Sequence, residues 1–235
     1  MGDFADCYRL SQYPESEDFL TLREELDRVH FKLEDLTNKF RAAKVKEKFY
    51  IMGNHEKRFE NYLVREGSTA ALEKVGFVSS EIKRFITETP GTKFSKLMQL
   101  EEQDWTVVPY NKKLVLGKGV FIHEIGSTSD SQMKNLLGDL NNHNLYVGHG
   151  HRITAVGRTT LTGVGEGSGT RREAMMFGWL GSPKACTYKS SVQVEANWPL
   201  GFGIGFEYPN GSWETHAIQI NRETYTCKFM GKEYK

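Results

Sequence analysis

At 235 residues the chain can form one large domain or two small ones, and 38% hydrophobic with 26% charged residues is the balance of a folded protein, not a disordered one. Lysine and arginine number 31 against 30 aspartates and glutamates, so a net charge of +1 gives no long-range pull toward nucleic acid or an anionic membrane. Three scattered cysteines, Cys7, Cys186 and Cys227, with no C-x-x-C pair, argue against a disulfide framework or a thiolate zinc site, and no run approaches the roughly 20 apolar residues that span a bilayer. With no opening segment of signal-peptide type, the expectation is a cytoplasmic protein with no membrane partner.

Residues 1 to 16 read as a polar loop containing Gly2-Asp3-Phe4-Ala5-Asp6. Phe19, Leu22, Leu26, Val29, Leu33, Leu36 and Phe40 then recur at spacings of three and four, the stripe of a long helix that covers a sheet. His30 lies beside that stripe and reads as a boundary residue, and Lys39 to Lys48 as the basic end of the helix. Phe49 to Met52 predicts a short buried strand, Gly53-Asn54-His55-Glu56 a loop, and Lys57 to Arg65 the next helix. Segments 69 to 76, 80 to 88 and 94 to 102 carry helical patterns and form a helical insertion around 66–105.

From Trp105 the periodicity shortens: strands are predicted at Thr106 to Val108, Lys113 to Leu116 and Val120 to Ile122, the last ending at His123. Asp130 or Ser131 caps a helix bearing Met133, Leu136, Leu137 and Leu140, and Leu145 to Val147 forms a strand leading into Gly148-His149-Gly150-His151. After Arg152 strands are expected at 153–162, 191–194, 202–208, 213–220 and 225–229, with a flexible glycine-rich loop over 163–172. Asn210-Gly211-Ser212 reads as a hairpin turn. The strand and helix alternation predicts a layered α/β architecture, and no domain boundary stands out.

Asp3, Asn54, His123, His149 and His151 each follow, or could follow, a short apolar run, so in a parallel-type sheet they can converge at the carboxyl ends of strands. Carboxylate, amide and imidazole donors suit Mn, Fe, Zn or Ni. The blander alternative makes them polar caps at strand ends.

In order along the chain, Gly2-Asp3-Phe4-Ala5-Asp6, Gly53-Asn54-His55-Glu56, His123 and Gly148-His149-Gly150-His151 resemble four of the five signature blocks of the calcineurin-like metallophosphoesterases: G-D-x-x-D, G-N-H-(D/E), a lone H and G-H-x-H. Asn197-Trp198-Pro199-Leu200-Gly201-Phe202-Gly203 is similar to a stretch of small phage-encoded members. The resemblance implies an α-β-β-α sandwich and hydrolysis of phosphomonoesters or phosphodiesters by metal-activated water. It implies that Asp3 bridges two metals, that Asn54, His123 and His149 complete one shell, and that His151 binds the other metal. Manganese is the favoured ion, with Fe, Zn or Ni as alternatives. His55 would protonate the leaving oxygen, Asp6 would orient His55, and Arg152 would help neutralise the phosphate.

The fifth block, D-x-H, has no counterpart in the chain. The expectation is therefore a single domain over 1–235, incomplete at its N-terminus and lacking the first strand-helix-strand, with one complete metal position instead of two. Two functions follow from this departure. The chain is part of a metal-dependent phosphatase or phosphodiesterase whose D-x-H comes from an upstream segment or an N-terminal complementing chain, or it is a non-catalytic metal-binding or protein-interaction module. Substrate candidates are a phosphorylated small molecule, a nucleotide or a nucleic acid, in the cytoplasm, or the host cytoplasm if the chain is phage-encoded.

Overall fold

The first helix, α1 (Leu22–Ala42), shows how the sequence builds this protein. Thr21 and Glu24 form a reciprocal capping box, Thr21 Oγ1 accepting from Glu24 N at 3.2 Å and Glu24 Oε2 accepting from Thr21 N at 2.9 Å. Leu22, Leu26, Val29 and Leu33 are buried along the predicted stripe, and Leu36 and Phe40 pack against the same core. The helix stops where Lys44 turns left-handed (φ 55), with Val45 N donating to Phe40 O and Lys44 N to Arg41 O, a Schellman closure.

In this computed structural model the described residues are 2–11, 20–66, 68–78, 93–127, 129–140, 142–161, 169–181 and 197–235. Phe19, the predicted helix at 80–88 and the predicted strand at 191–194 lie outside them. The architecture is mixed α/β, with five α-helices and several small sheets among the described residues. The chain divides into two compact units, Met1–Lys112 and Lys113–Lys235.

In the first unit, β1 (Lys48–Ile51) pairs in parallel with β2 (Trp105–Val108). Between them come α2 (Asn54–Glu66), α3 (Ser68–Lys74) and α4 (Lys93–Leu97). Tyr50, Phe59, Phe94 and Trp105 form an aromatic centre, and Trp105 Nε1 donates to the buried Thr37 Oγ1 at 2.8 Å. Helix α4 ends earlier than its pattern predicts, because Gln99 and Asp104 both take left-handed backbone (φ 52 and 63). Turns there carry the chain into β2.

The second unit is built on a five-stranded sheet of β3 (Leu114–Leu116), β4 (Gly119–Ile122), β5 (Asn144–Val147), β6 (Ile153–Leu161) and β7 (Gly169–Phe177), in the order β3-β4-β5-β7-β6. Strands β4, β5 and β7 run parallel, while β3 and β6 are antiparallel neighbours. Helix α5 (Asp130–Asp139), capped by Ser129, buries Met133 and Leu137 in a core with Val120, Leu145, Val147 and Ala174. Alternation along β5 sends Tyr146 to the other face, against Phe121, Phe177 and Trp213. Trp213 belongs to the hairpin of β8 (Gly201–Glu207) and β9 (Trp213–Gln219), and a last hairpin joins β10 (Cys227–Phe229) to β11 (Lys232–Tyr234). The second unit thus has helix, sheet and hairpin layers.

Strand β7 was not foreseen. Residues 169–172, expected as part of a flexible loop, pair residue by residue with β6 from Leu161↔Gly169 onward. A nine-residue antiparallel partner outweighs the weak strand propensity of a glycine-rich start.

Candidate functional site

The candidate residues fall into two sets, one in each unit. In the first unit everything turns on the start of α2. Gly53 precedes the helix and offers no side chain to cap it, so Asp3 supplies the oxygen: Asp3 Oδ1 accepts from His55 N at 3.0 Å. A helix N-terminus also favours the carboxylate through its dipole. The approach is close enough to require glycine, since a Cβ on residue 53 would lie 2.1 Å from Asp3 Oδ1 and 2.5 Å from Asp3 N. Gly2 and Asp3 hold left-handed backbone (φ 69 and 54), which aspartate tolerates better than most residues.

The sequence pattern begins α2 at Lys57, but the helix begins at Asn54, which places His55 and Glu56 in its first turn. His55 Nδ1 is 2.9 Å from Asp6 Oδ1, and His55 Nε2 is 3.8 Å from Asp3 Oδ2. The imidazole is only 14% exposed and Asp3 10%, while Asp6 reaches solvent at 44%. Arg58 lies behind this pair, its Nη1 donating to Asp6 O at 3.4 Å. Asn54 is half-buried at the first helical position.

Glu56 does more than answer the helix dipole. It is fully buried, and its Oε2 accepts from Gly53 N at 2.8 Å, the reciprocal half of a capping box. The same carboxylate accepts from Asp3 N, Phe4 N and Ala5 N at 2.9, 2.8 and 3.3 Å, and from Tyr50 Oη at 2.7 Å. Burial, with the Glu56 carboxylate beside it, pushes the Tyr50 hydroxyl well above its ordinary pKa, so it remains a donor. Nearby, Cys7 N donates to Glu25 Oε1 at 2.7 Å. Burial raises the pKa of both the Glu25 carboxyl and the Cys7 thiol.

In the second unit the histidines come from neighbouring strand ends. β4 and β5 are parallel and end together at Ile122↔Val147, and Gly148 N continues the ladder to Ile122 O at 3.1 Å. His123 and His149 therefore leave adjacent carboxyl ends, with ring centroids 5.4 Å apart and His123 only 2% exposed. His149 and His151 both adopt left-handed backbone (φ 56 and 51), an uncommon conformation for histidine and one that gathers at functional turns. The His151 ring lies 6.5 Å from that of His149, stacks on Trp179 at 5.6 Å and meets the edge of Trp198 at 4.4 Å. Arg152 pairs on the surface with Asp130 at 3.3 Å.

The first unit thus offers a carboxylate at Asp3, and the second two neighbouring imidazoles at His123 and His149. One carboxylate and two imidazoles are a donor set for a divalent transition metal. Two participants had no assigned role in the sequence pattern: Glu56, only a letter of the G-N-H-(D/E) block, and Trp179, an isolated aromatic outside every motif. No helix among the described residues is long and apolar enough to cross a membrane. Comparisons of the chain with protein-family models, curated proteins and solved structures give no match.

Proposed function

We propose that this chain carries the core of a metal-dependent phosphoesterase, with the layered fold and chemistry of the calcineurin-like metallophosphoesterases. The observation that carries this reading is the placement of His55: its Nδ1 lies against Asp6 at 2.9 Å and its Nε2 lies 3.8 Å from Asp3 Oδ2, the carboxylate proposed as a metal ligand. An imidazole oriented by one acid beside another that binds metal is an arrangement suited to phosphoester cleavage.

Asp3, His123 and His149, with Asn54 as a fourth donor, would hold an ion of the Mn, Fe, Zn or Ni class, manganese being favoured. A bound divalent ion supplies Lewis acidity toward phosphoryl oxygens and makes water acidic enough to be a nucleophile near neutral pH. A carboxylate only accepts, so Nδ1, which faces Asp6 Oδ1 at 2.9 Å, would carry a proton, and a protonated Nε2 can donate to the leaving oxygen. Asp6 fixes the ring. Arg152 contributes positive charge toward the phosphate. Phosphomonoesters and phosphodiesters both suit this chemistry, borne by a small molecule, a nucleotide or a nucleic acid.

A second reading is a non-catalytic module that binds one metal, located in the cytoplasm as the enzyme would be. What favours it is the packing of His151 on Trp179 and Trp198. Assays on an aryl phosphate and a diester with MnCl2, with and without an upstream segment or complementing chain supplying D-x-H, separate the two. Hydrolysis that appears or rises in the supplemented form supports the enzyme. No hydrolysis in either form defeats it.

A further inference from the structure

Five donors converge on one buried side chain that the proposed chemistry does not use. Glu56 has no exposed surface, yet its two oxygens accept from three consecutive amides at Asp3, Phe4 and Ala5, from the amide of Gly53, and from Tyr50 Oη, all within 2.7–3.3 Å. Consecutive amides can turn toward one point only where the backbone leaves the extended region, and here Gly2 and Asp3 are left-handed. Such a concave run of N–H groups is an anion nest, and the anion is the chain's own carboxylate.

We propose that Glu56 is the positioning residue of this site, holding the Asp3 carboxylate and the His55–Asp6 pair in one geometry. The inference rests on the metal-binding reading above and deepens it. Glu56 ties the backbone of residues 3–5 to the first turn of α2, and Asp3 Oδ1 returns the tie by accepting from His55 N. The two ends of the assembly are therefore fixed to each other twice, once through each carboxylate. Tyr50 on β1 adds a third anchor from the strand that precedes the turn. Asp3 can hold its left-handed backbone with little freedom only while those amides have an acceptor.

Glu56→Gln tests this directly, because it keeps the size of the side chain but turns one acceptor oxygen into a donor that faces other donors. Glu56→Asp is the second variant: it keeps both oxygens, withdrawn by one methylene, and remains informative where Gln prevents folding. Phe59→Leu is the control, a fully buried apolar change on the same helix that should lower thermal stability without touching the loop.

Manganese titrated into each full-length chain, well below its melting temperature, should bind about 10- to 100-fold more weakly in Glu56→Gln. Glu56→Asp should fall between that and the native chain, and Phe59→Leu should bind like the native chain. Amide exchange at Asp3, Phe4, Ala5 and Gly53 should accelerate by about tenfold in Glu56→Gln relative to Phe59→Leu, as local release demands. Glu56→Gln with native manganese affinity, and with exchange no faster than the control, would overturn the proposal. A native chain that binds no manganese would instead sink the metal-binding reading. The exchange data alone then decide whether Glu56 sets the loop.

Discussion

The two units hold their candidate ligands by opposite means. In the second, His123 and His149 follow from sheet geometry: adjacent parallel strands end in register, and the turn after each delivers an imidazole. In the first, Asp3 lies in no helix or strand and owes its place to side chains, with Glu56 below it, His55 N beside it and Gly53 making room. Ladder geometry is redundant, since losing one contact leaves the register in place. A loop held by a few buried polar bonds is not, because each unmet donor costs about 1–3 kcal/mol. The Asp3 loop should therefore be more sensitive to substitution than the histidine turns.

The largest effect is expected at His55. In a form that hydrolyses phosphoesters, His55→Ala should lower turnover by about 10²–10⁴-fold while manganese affinity stays nearly native, because the ring is assigned to proton transfer and not to the metal. Paired kinetic and calorimetric measurements check it, and equal losses in both would make His55 a ligand.

Gly53→Ala comes next. The added methyl would meet Asp3 Oδ1 and N at 2.1 and 2.5 Å, so the loop must move. Overpacking of this kind costs about 1–3 kcal/mol, read as a lower melting temperature, and manganese affinity should fall with it. A glycine substitution that leaves metal affinity intact would show that the loop tolerates more freedom than the contrast between the two units allows.

His151→Phe should have a small effect on metal binding, because the ring packs on Trp179 and Trp198. A loss as large as that of His149→Ala would restore His151 to the metal shell that the sequence resemblance implies for it.

The smallest effect concerns pH. Burial outweighs the opposing hydrogen bond from Cys7 N and raises the Glu25 carboxyl above its ordinary value of 4.5. A raised folded pKa means that this group's contribution is fully present below the unfolded pKa and is lost as pH rises through the folded one. Glu25→Gln keeps an acceptor for Cys7 N without the charge. It should melt slightly above the native chain at neutral pH, with the gap closing as pH falls toward 4.5. A gap independent of pH would remove Glu25 from the account.

The α1 stripe, the β4 and β5 strands and the histidines at their ends were legible because each rests on local periodicity or on a strand-to-turn junction. β7 was not, because its glycine-rich start looks like a loop until β6 pairs with it. The start of α2 was misplaced for a related reason: its cap comes from Asp3, 52 residues away from His55 in sequence, and no local pattern records that. Glu56 was visible as a letter in the motif, but its work is done on amides of a distant loop. His55 and Asp6 were paired by the resemblance before the fold placed them 2.9 Å apart.

The most direct test of the central claim is calorimetric titration of the full-length chain with MnCl2, repeated for Asp3→Ala and His149→Ala. A single strong site that both substitutions abolish is the predicted result, because each removes a proposed ligand. Two tight sites, or one that survives the loss of Asp3, would contradict it.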